Sequence, residues 1–298
     1  MSNYKTVFFT LGILLIILGV AMMVPVAFQL IYKEFDTTFI ISSIITVTFG
    51  ILFFLSNIDH LKLINTQQAF LLTALSWLSI AIFGSLPFFF SELNLSITDS
   101  FFESMSGITT TGATILNNIE SSPKGILVWR SMLQWLGGIG VILMAITLMP
   151  IMNIGGMQLL KISSYDTSEK ILPKSKEISL RLITVYVSLT FLCAFFYKIF
   201  GMNFFDSLTH SMTTIATGGF SNYDQSIGYF NNPFIEVTSI IFILLGSIPF
   251  ILYIKFISDD KTIIFKDEQV KLFLKLTLVS ILILFFYLVV VNQNIFEI

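Results

Sequence analysis

Two short segments of this chain, 99–112 and 206–219, are rich in Ser and Thr hydroxyls, and the second is a copy of the first. Laid on each other they pair Asp99 with Asp206, Ser100 with Ser207, Ser104 with Ser211, Met105 with Met212, Ile108 with Ile215, Thr110 with Thr217 and Gly112 with Gly219, seven of fourteen positions. A Thr/Gly strand of this kind offers oxygen and nothing else. Oxygen-only ligation suits a hard monovalent cation, with glycine allowing carbonyls to turn toward an axis and threonine adding a hydroxyl. A single Thr-Thr-Thr-Gly run would read as a turn between apolar stretches; two matching copies, each between apolar stretches, read as repeats of a cation path.

The residues ahead of each strand must hold it. Asp99 and Asp206 are expected N-caps of short helices running to about Gly107 and Thr214. Their C-terminal ends carry partial negative charge and point it where a cation would sit. Only one glycine aligns between the two copies, which predicts a looser ring of modest selectivity. Glu103 lies within the first of these helices, and an acid at membrane depth is costly and usually functional; holding the helix by hydrogen bonds is its expected task. His210 in the second is expected to pack or to bond a nearby hydroxyl, since no second ligand stands at metal spacing. Glu120 and Asp224 follow the strands and either gather cations at a mouth or do nothing.

The surroundings are lipid. With 55% hydrophobic and 11% charged residues and a mean hydropathy of +0.88, the chain of 298 residues is an integral membrane protein rather than a soluble domain. Seven apolar runs are long enough to cross about 30 Å of hydrocarbon, near 8–31, 38–56, 69–90, 126–151, 179–200, 233–257 and 272–291. The first is retained, having no small-x-small cleavage site. The two polar copies fall between runs three and four and between runs five and six, and so are re-entrant; non-helical backbone survives at that depth only when covered by protein or water. Twelve of the sixteen Lys and Arg fall on one face if the N-terminus is cytoplasmic, and four, Lys33, Lys124, Arg130 and Lys198, on the other. That places both re-entrant segments as dips from the outer face, with the long 152–178 and 258–271 connections inside, where a cytosolic partner could dock.

Other residues read more simply. Cys193 is a small packed side chain, His60 is a solvated loop residue, and the glycines of Gly137-Gly138-Ile139-Gly140 permit close helix packing in preference to a hinge. An enzyme is not expected: there is no HExxH, no paired intramembrane Asp and no Ser/His couple in facing spans.

The chain resembles the TrkH/KtrB-type potassium uptake family, most closely its bacterial TrkH members. The likeness is carried by Phe101-Phe102-Glu103-Ser104-Met105-Ser106-Gly107 with Thr110-Thr111-Gly112-Ala113-Thr114, by Gln134-Trp135-Leu136-Gly137-Gly138-Ile139-Gly140, by Gly155-Gly156-Met157-Gln158-Leu159, and by Gly218-Gly219-Phe220-Ser221 leading to Ser226-Ile227-Gly228-Tyr229-Phe230. The resemblance implies an all-α integral membrane fold of the potassium-channel-like superfamily, with an N-terminal helix pair and M1–P–M2 repeats around one pore. On this chain that gives a helix pair at 1–66, a first repeat at 67–155, a second at 156–262 and the first helix of a third at 263–298. It also implies that Thr110, Thr111, Gly112 and Ala113 line a potassium filter from the first repeat, and Thr217, Gly218, Gly219 and Phe220 from the second. The ligand is potassium, and no other metal is implied. The expected location is the bacterial inner membrane with a cytoplasmic N-terminus, and the expected partners are membrane lipid and, by resemblance, a cytosolic, nucleotide-binding TrkA-like regulator, with no nucleic acid. Two of four filter segments are present, so a chain truncated within the third repeat, or half of a split transporter, is expected. The alternative to a conducting subunit is then a non-conducting remnant, or a half that needs a second chain. A homodimer could also supply four segments, although the unpaired seventh run fits that arrangement poorly.

Overall fold

The computed structural model describes residues 4–58, 65–152, 171–258 and 261–291, and every regular element in them is a helix. The chain divides into a large unit, 1–247, and a small one, 248–298. His60, the Gly155–Leu159 motif (155–159) and most of the 152–178 connection lie outside the described residues.

The large unit opens with α1 (Lys5–Ala21) and α2 (Met23–Tyr32), which together make the first apolar run. They part near Pro25, which brings no N–H to the helix ladder. Helix α3 (Thr38–Leu55) packs along α1 through small residues. A Cβ on Gly12 would stand 2.6 Å from the Phe54 nitrogen and 2.7 Å from the Gly50 carbonyl, and Ser43 Oγ donates to the Gly19 carbonyl at 2.7 Å. Lipid drives no apolar association, so such close backbone approach and interhelical hydrogen bonds hold the pair.

Helix α4 (Thr66–Gly84) starts on a capping box in which Asn65 and Gln68 bond each other's backbone N–H. It yields at Ser85 to the short α5 (Leu86–Phe90), where Pro87 interrupts the ladder. Next come α6 (Ile97–Ile108), α7 (Lys124–Met152), α8 (Ile171–Ile199), α9 (Phe204–Ile215) and α10 (Pro233–Ser247). The core lies where α7 crosses the earlier elements. Trp129 and Leu133 of α7 are fully buried with Phe39, Phe88 and Ile108, and Trp129 Nε1 donates to the Gly84 carbonyl at 2.9 Å.

The small unit has α11 (Phe250–Ser258), α12 (Ile263–Lys266) and α13 (Glu268–Val291). Ile248, Leu252 and Val270 form its own small core. Asp267 caps α13 by accepting the N–H groups of Gln269 and Val270. Across the described residues, six helices are long and apolar enough to cross a membrane, or seven if the broken run 233–257 counts as one. The sequence expected an unbroken run there; Pro249 separates α10 from α11.

Candidate functional site

The two copied segments fold alike, and each begins earlier than its acid suggested. The N-caps are Ser96 and Asn203, whose side-chain oxygens accept the N–H of Asp99 and Asp206. The aspartates therefore stand three residues inside helices α6 and α9, a correction to their expected place as caps. This frees the Asp206 carboxylate for other work. It takes Asn222 Nδ2 at 2.8 Å, the Tyr223 hydroxyl at 2.7 Å and Asn203 Nδ2 at 2.6 Å, tying the second helix to the connection that follows its strand. Burial, and next the neighbouring Asp206, push the Tyr223 hydroxyl well above its ordinary pKa.

Both helices end in the same motif. Thr110 N–H bonds the Gly107 carbonyl and Thr111 N–H the Ser106 carbonyl, each at 2.9 Å; Thr217 N–H bonds Thr214 at 3.0 Å and Gly218 N–H bonds Thr213 at 2.9 Å. This is a Schellman pattern, whose left-handed position is usually glycine. Here it is Thr110, at φ +55°, and Thr217, at φ +52°. A β-branched residue in that region is a strained outlier, at about 1–2 kcal/mol. Two residues on, Gly112 and Gly219 repeat the positive φ at +78° and +81°, a hand that glycine takes freely. Strain of this kind persists where the side chain is needed, and the threonine hydroxyl is the group that a glycine would lack.

The strands lie side by side. A Cβ on Gly112 would stand 2.1 Å from the Gly218 carbonyl oxygen. Thr111, Ala113, Thr217 and Gly219 are exposed, whereas Gly218 and Phe220 are buried and Thr110 and Gly112 half-buried. All eight residues singled out from the sequence therefore belong to one adjoining pair of strands, though they do not all face the same way.

Sequence reasoning missed what stands behind them. Arg130, counted from its charge among outer-face residues, is buried in α7, with its Nε 2.7 Å from Glu103 Oε1. Glu103 also accepts the Thr114 hydroxyl at 3.0 Å and the Ile115 N–H at 3.2 Å. Arg130 Nη1 donates to the Ser221 carbonyl at 2.9 Å, and the guanidinium lies 4.2 Å from the Phe220 ring centre. One ion pair thus grips the end of both strands. The available signal was double: an acid in one apolar setting and an arginine in another, each prohibitive alone and tolerable together.

His210 occupies the place of Glu103 in the second copy. Its Nδ1–H donates to the Asp206 carbonyl at 2.9 Å, which leaves Nε2 to accept the Ser221 hydroxyl at 2.9 Å. The hydroxyl bond expected of His210 is present. Asp224 accepts the Ile119 N–H at 3.1 Å and so fastens together the connections that follow the two strands. Cys193 is buried.

Of the α7 glycines expected to permit close packing, Gly137 and Gly138 do, whereas a Cβ on Gly140 would meet nothing within 4 Å among the described residues. A Cβ on Gly137 would fall 1.9 Å from the Ile108 carbonyl, and one on Gly246 of α10 would fall 2.7 Å from the Ile215 carbonyl, the matching last turn of the other short helix. Setting Gly246 on Gly137 brings Ser239 against Arg130 and Ile243 against Gln134. Where the first repeat has a guanidinium, the second has a cavity of about 170 Å³ bordered by His210, Thr217, Ser239 and Ile243.

Known proteins resemble this chain over nearly its whole length. The profile of the TrkH family, described as a cation transport protein, matches residues 36–297. The chain is 38% identical to the Trk system potassium uptake protein TrkI of Halomonas elongata, over 92% of this chain and 56% of that protein. It is 36% identical to the Trk system potassium uptake protein TrkH of Escherichia coli, over 99% of this chain and 64% of that protein. The crystal structure of the potassium transporter TrkH from Vibrio parahaemolyticus superposes with a TM-score of 0.87 at 32% identity, covering 97% of this chain and 60% of that one. The chain thus spans somewhat over half the length of the relatives it matches.

Proposed function

Because this chain belongs to the TrkH family of cation transport proteins, we propose that it is a pore-forming component of a Trk-type potassium uptake system, with 110–113 and 217–220 as two segments of the selectivity filter. It is an integral membrane protein and carries no enzyme chemistry. The observation that supports the reading best is the duplicated strand geometry: Thr110 and Thr217 strained into the left-handed region, Gly112 and Gly219 two residues on, each strand beginning at the C-terminus of a short helix. Potassium is the ligand, held by strand carbonyls and the two threonine hydroxyls, with the helix ends adding partial negative charge.

The exposed faces of Thr111, Ala113, Thr217 and Gly219 favour a ring completed by further segments of the same kind, from a longer polypeptide, a second chain or a second copy. Repeats at 67–155 and 156–262 would then be followed by a third beginning at 263. The inner membrane, a cytoplasmic N-terminus and a nucleotide-binding TrkA-like regulator on the inner connections complete the reading.

The test is potassium uptake in bacteria stripped of their own uptake systems, with the chain expressed alone and together with the remaining portion of a TrkH relative. Growth at low potassium in either setting, abolished by Gly112→Ser or Gly219→Ser, is expected. No uptake in both settings would reject conduction in favour of a non-conducting role.

A further inference from the structure

We propose that Gln134 is a positioning residue that aims the Gly219 carbonyl into the ion path and so sets cation preference. The inference rests on the reading of 217–220 as a filter segment.

Gln134 is fully buried on α7, one turn beyond Arg130. Its Oε1 accepts the Phe220 N–H at 3.1 Å. A trans peptide is planar, so its N–H and C=O point in opposite directions. Holding the Phe220 N–H toward α7 therefore turns the Gly219 carbonyl away from α7. On that side the strand is open: Gly219 is exposed, and a Cβ placed on it would meet nothing within 4 Å among the described residues. One turn earlier on α7, Arg130 Nη1 takes the Ser221 carbonyl and draws it backward. The two side chains thus divide the strand, with the Gly219 carbonyl sent forward and the Ser221 carbonyl withdrawn.

Two further observations assign this task to the amide. A Cβ on Gly218 would overlap it, at 2.4 Å from Cδ and 2.7 Å from Nε2, so glycine at 218 is what lets Gln134 approach. Among the described residues, Gln134 Nε2 is buried without a hydrogen-bond partner. An unpaired buried donor is costly, and the amide is held so nonetheless, in the orientation that serves Phe220. It stands at the seam between the strands, its Nε2 lying 3.8 Å from where a Gly112 Cβ would be.

The test uses Gln134→Leu, which keeps the bulk and removes the acceptor, and an amide-to-ester replacement at Phe220, which removes the N–H and leaves every side chain in place. Potassium and sodium uptake are measured in whichever expression setting supports transport, and amide hydrogen exchange of the peptide containing Phe220 is followed in detergent. Gln134→Leu should expose that peptide to exchange and lower the potassium-to-sodium uptake ratio roughly threefold to tenfold, the range one neutral hydrogen bond supports. The ester should lower the ratio by a similar factor, and the two changes together by no more than either alone. If Gln134→Leu fails to fold, the ester carries the test. Unchanged exchange in Gln134→Leu, or an unchanged ratio in the ester, overturns the inference while leaving the filter reading intact. A wild-type protein with no preference for potassium overturns the filter reading and the inference with it.

Discussion

Arg130 Nε lies 2.7 Å from Glu103 Oε1, with both side chains sealed from solvent at 1% and 0% exposure. The pair joins the first short helix to the helix that follows its strand, and through the Ser221 carbonyl it reaches the second strand as well. One guanidinium thereby touches both copied segments, beside the Gln134–Phe220 and Asp224–Ile119 hydrogen bonds that also join them. Charges at this depth are kept by mutual compensation, so the pair specifies an arrangement more than it adds net stability.

Removing one partner should be worse than removing both. Glu103→Gln or Arg130→Met alone is expected to destabilise the large unit by about 3–5 kcal/mol, because the other charge is left buried, whereas the double substitution recovers part of that loss. Thermal unfolding in detergent reads the difference. Equal midpoints for wild type and both single variants would contradict the pair's role.

Relaxing the strained threonines should separate stability from selectivity. Thr110→Gly and Thr217→Gly each remove a left-handed β-branched residue, which should stabilise the protein by about 1 kcal/mol. Each also removes a hydroxyl from the proposed filter, and potassium preference should fall. A variant that unfolds sooner than wild type, or keeps full preference, would show that the hydroxyl is not what the strain preserves.

Packing at the two glycine contacts can be ranked in advance. Gly137→Ala places a methyl 1.9 Å from the Ile108 carbonyl, and Gly246→Ala places one 2.7 Å from the Ile215 carbonyl. Both should destabilise, by about 1–3 kcal/mol as in overpacked cores, with Gly137→Ala the worse of the two. The reverse order in thermal unfolding would refute the contact geometry.

Orientation in the membrane is checked with single cysteines on a Cys193→Ala background. Asn118 and Lys261 are both exposed, and the charge distribution puts them on opposite faces. An impermeant thiol reagent outside intact cells should label Asn118→Cys at once and Lys261→Cys only after permeabilisation. Labelling of both without permeabilisation would reverse the orientation argument.

The filter candidates were legible because a repeat is a pattern within one chain: the pairing of Thr110 with Thr217 and of Gly112 with Gly219 needs no structure, and their φ values came out matched to within a few degrees. The apolar runs were legible for an equally simple reason, since a bilayer demands about 20 apolar residues whatever surrounds them. The breaks near Pro25, Pro87 and Pro249 were not anticipated, because apolar character runs straight through them and only the helix ladder registers the missing N–H.

Cap assignment failed by three residues. Asp, Ser and Asn are all good caps, and only the backbone path after residues 95 and 202 decides which oxygen meets which N–H. Arg130 failed for a deeper reason. Its charge says only that it must leave lipid or find a partner, and a partner 27 residues away in sequence exists only once α6 and α7 have packed. The role of Gln134 lay still further from view. A neutral amide in an apolar run carries no signal in composition or spacing, and its meaning comes from a peptide of the other repeat, brought to within 3.1 Å by the fold. Sequence determined the medium, the repeats and the oxygen-bearing strands, because those follow from local pattern and solvent. Tertiary structure decided what stands behind the strands and which way their carbonyls point, because hydrogen bonds and buried charges are satisfied by neighbours in space.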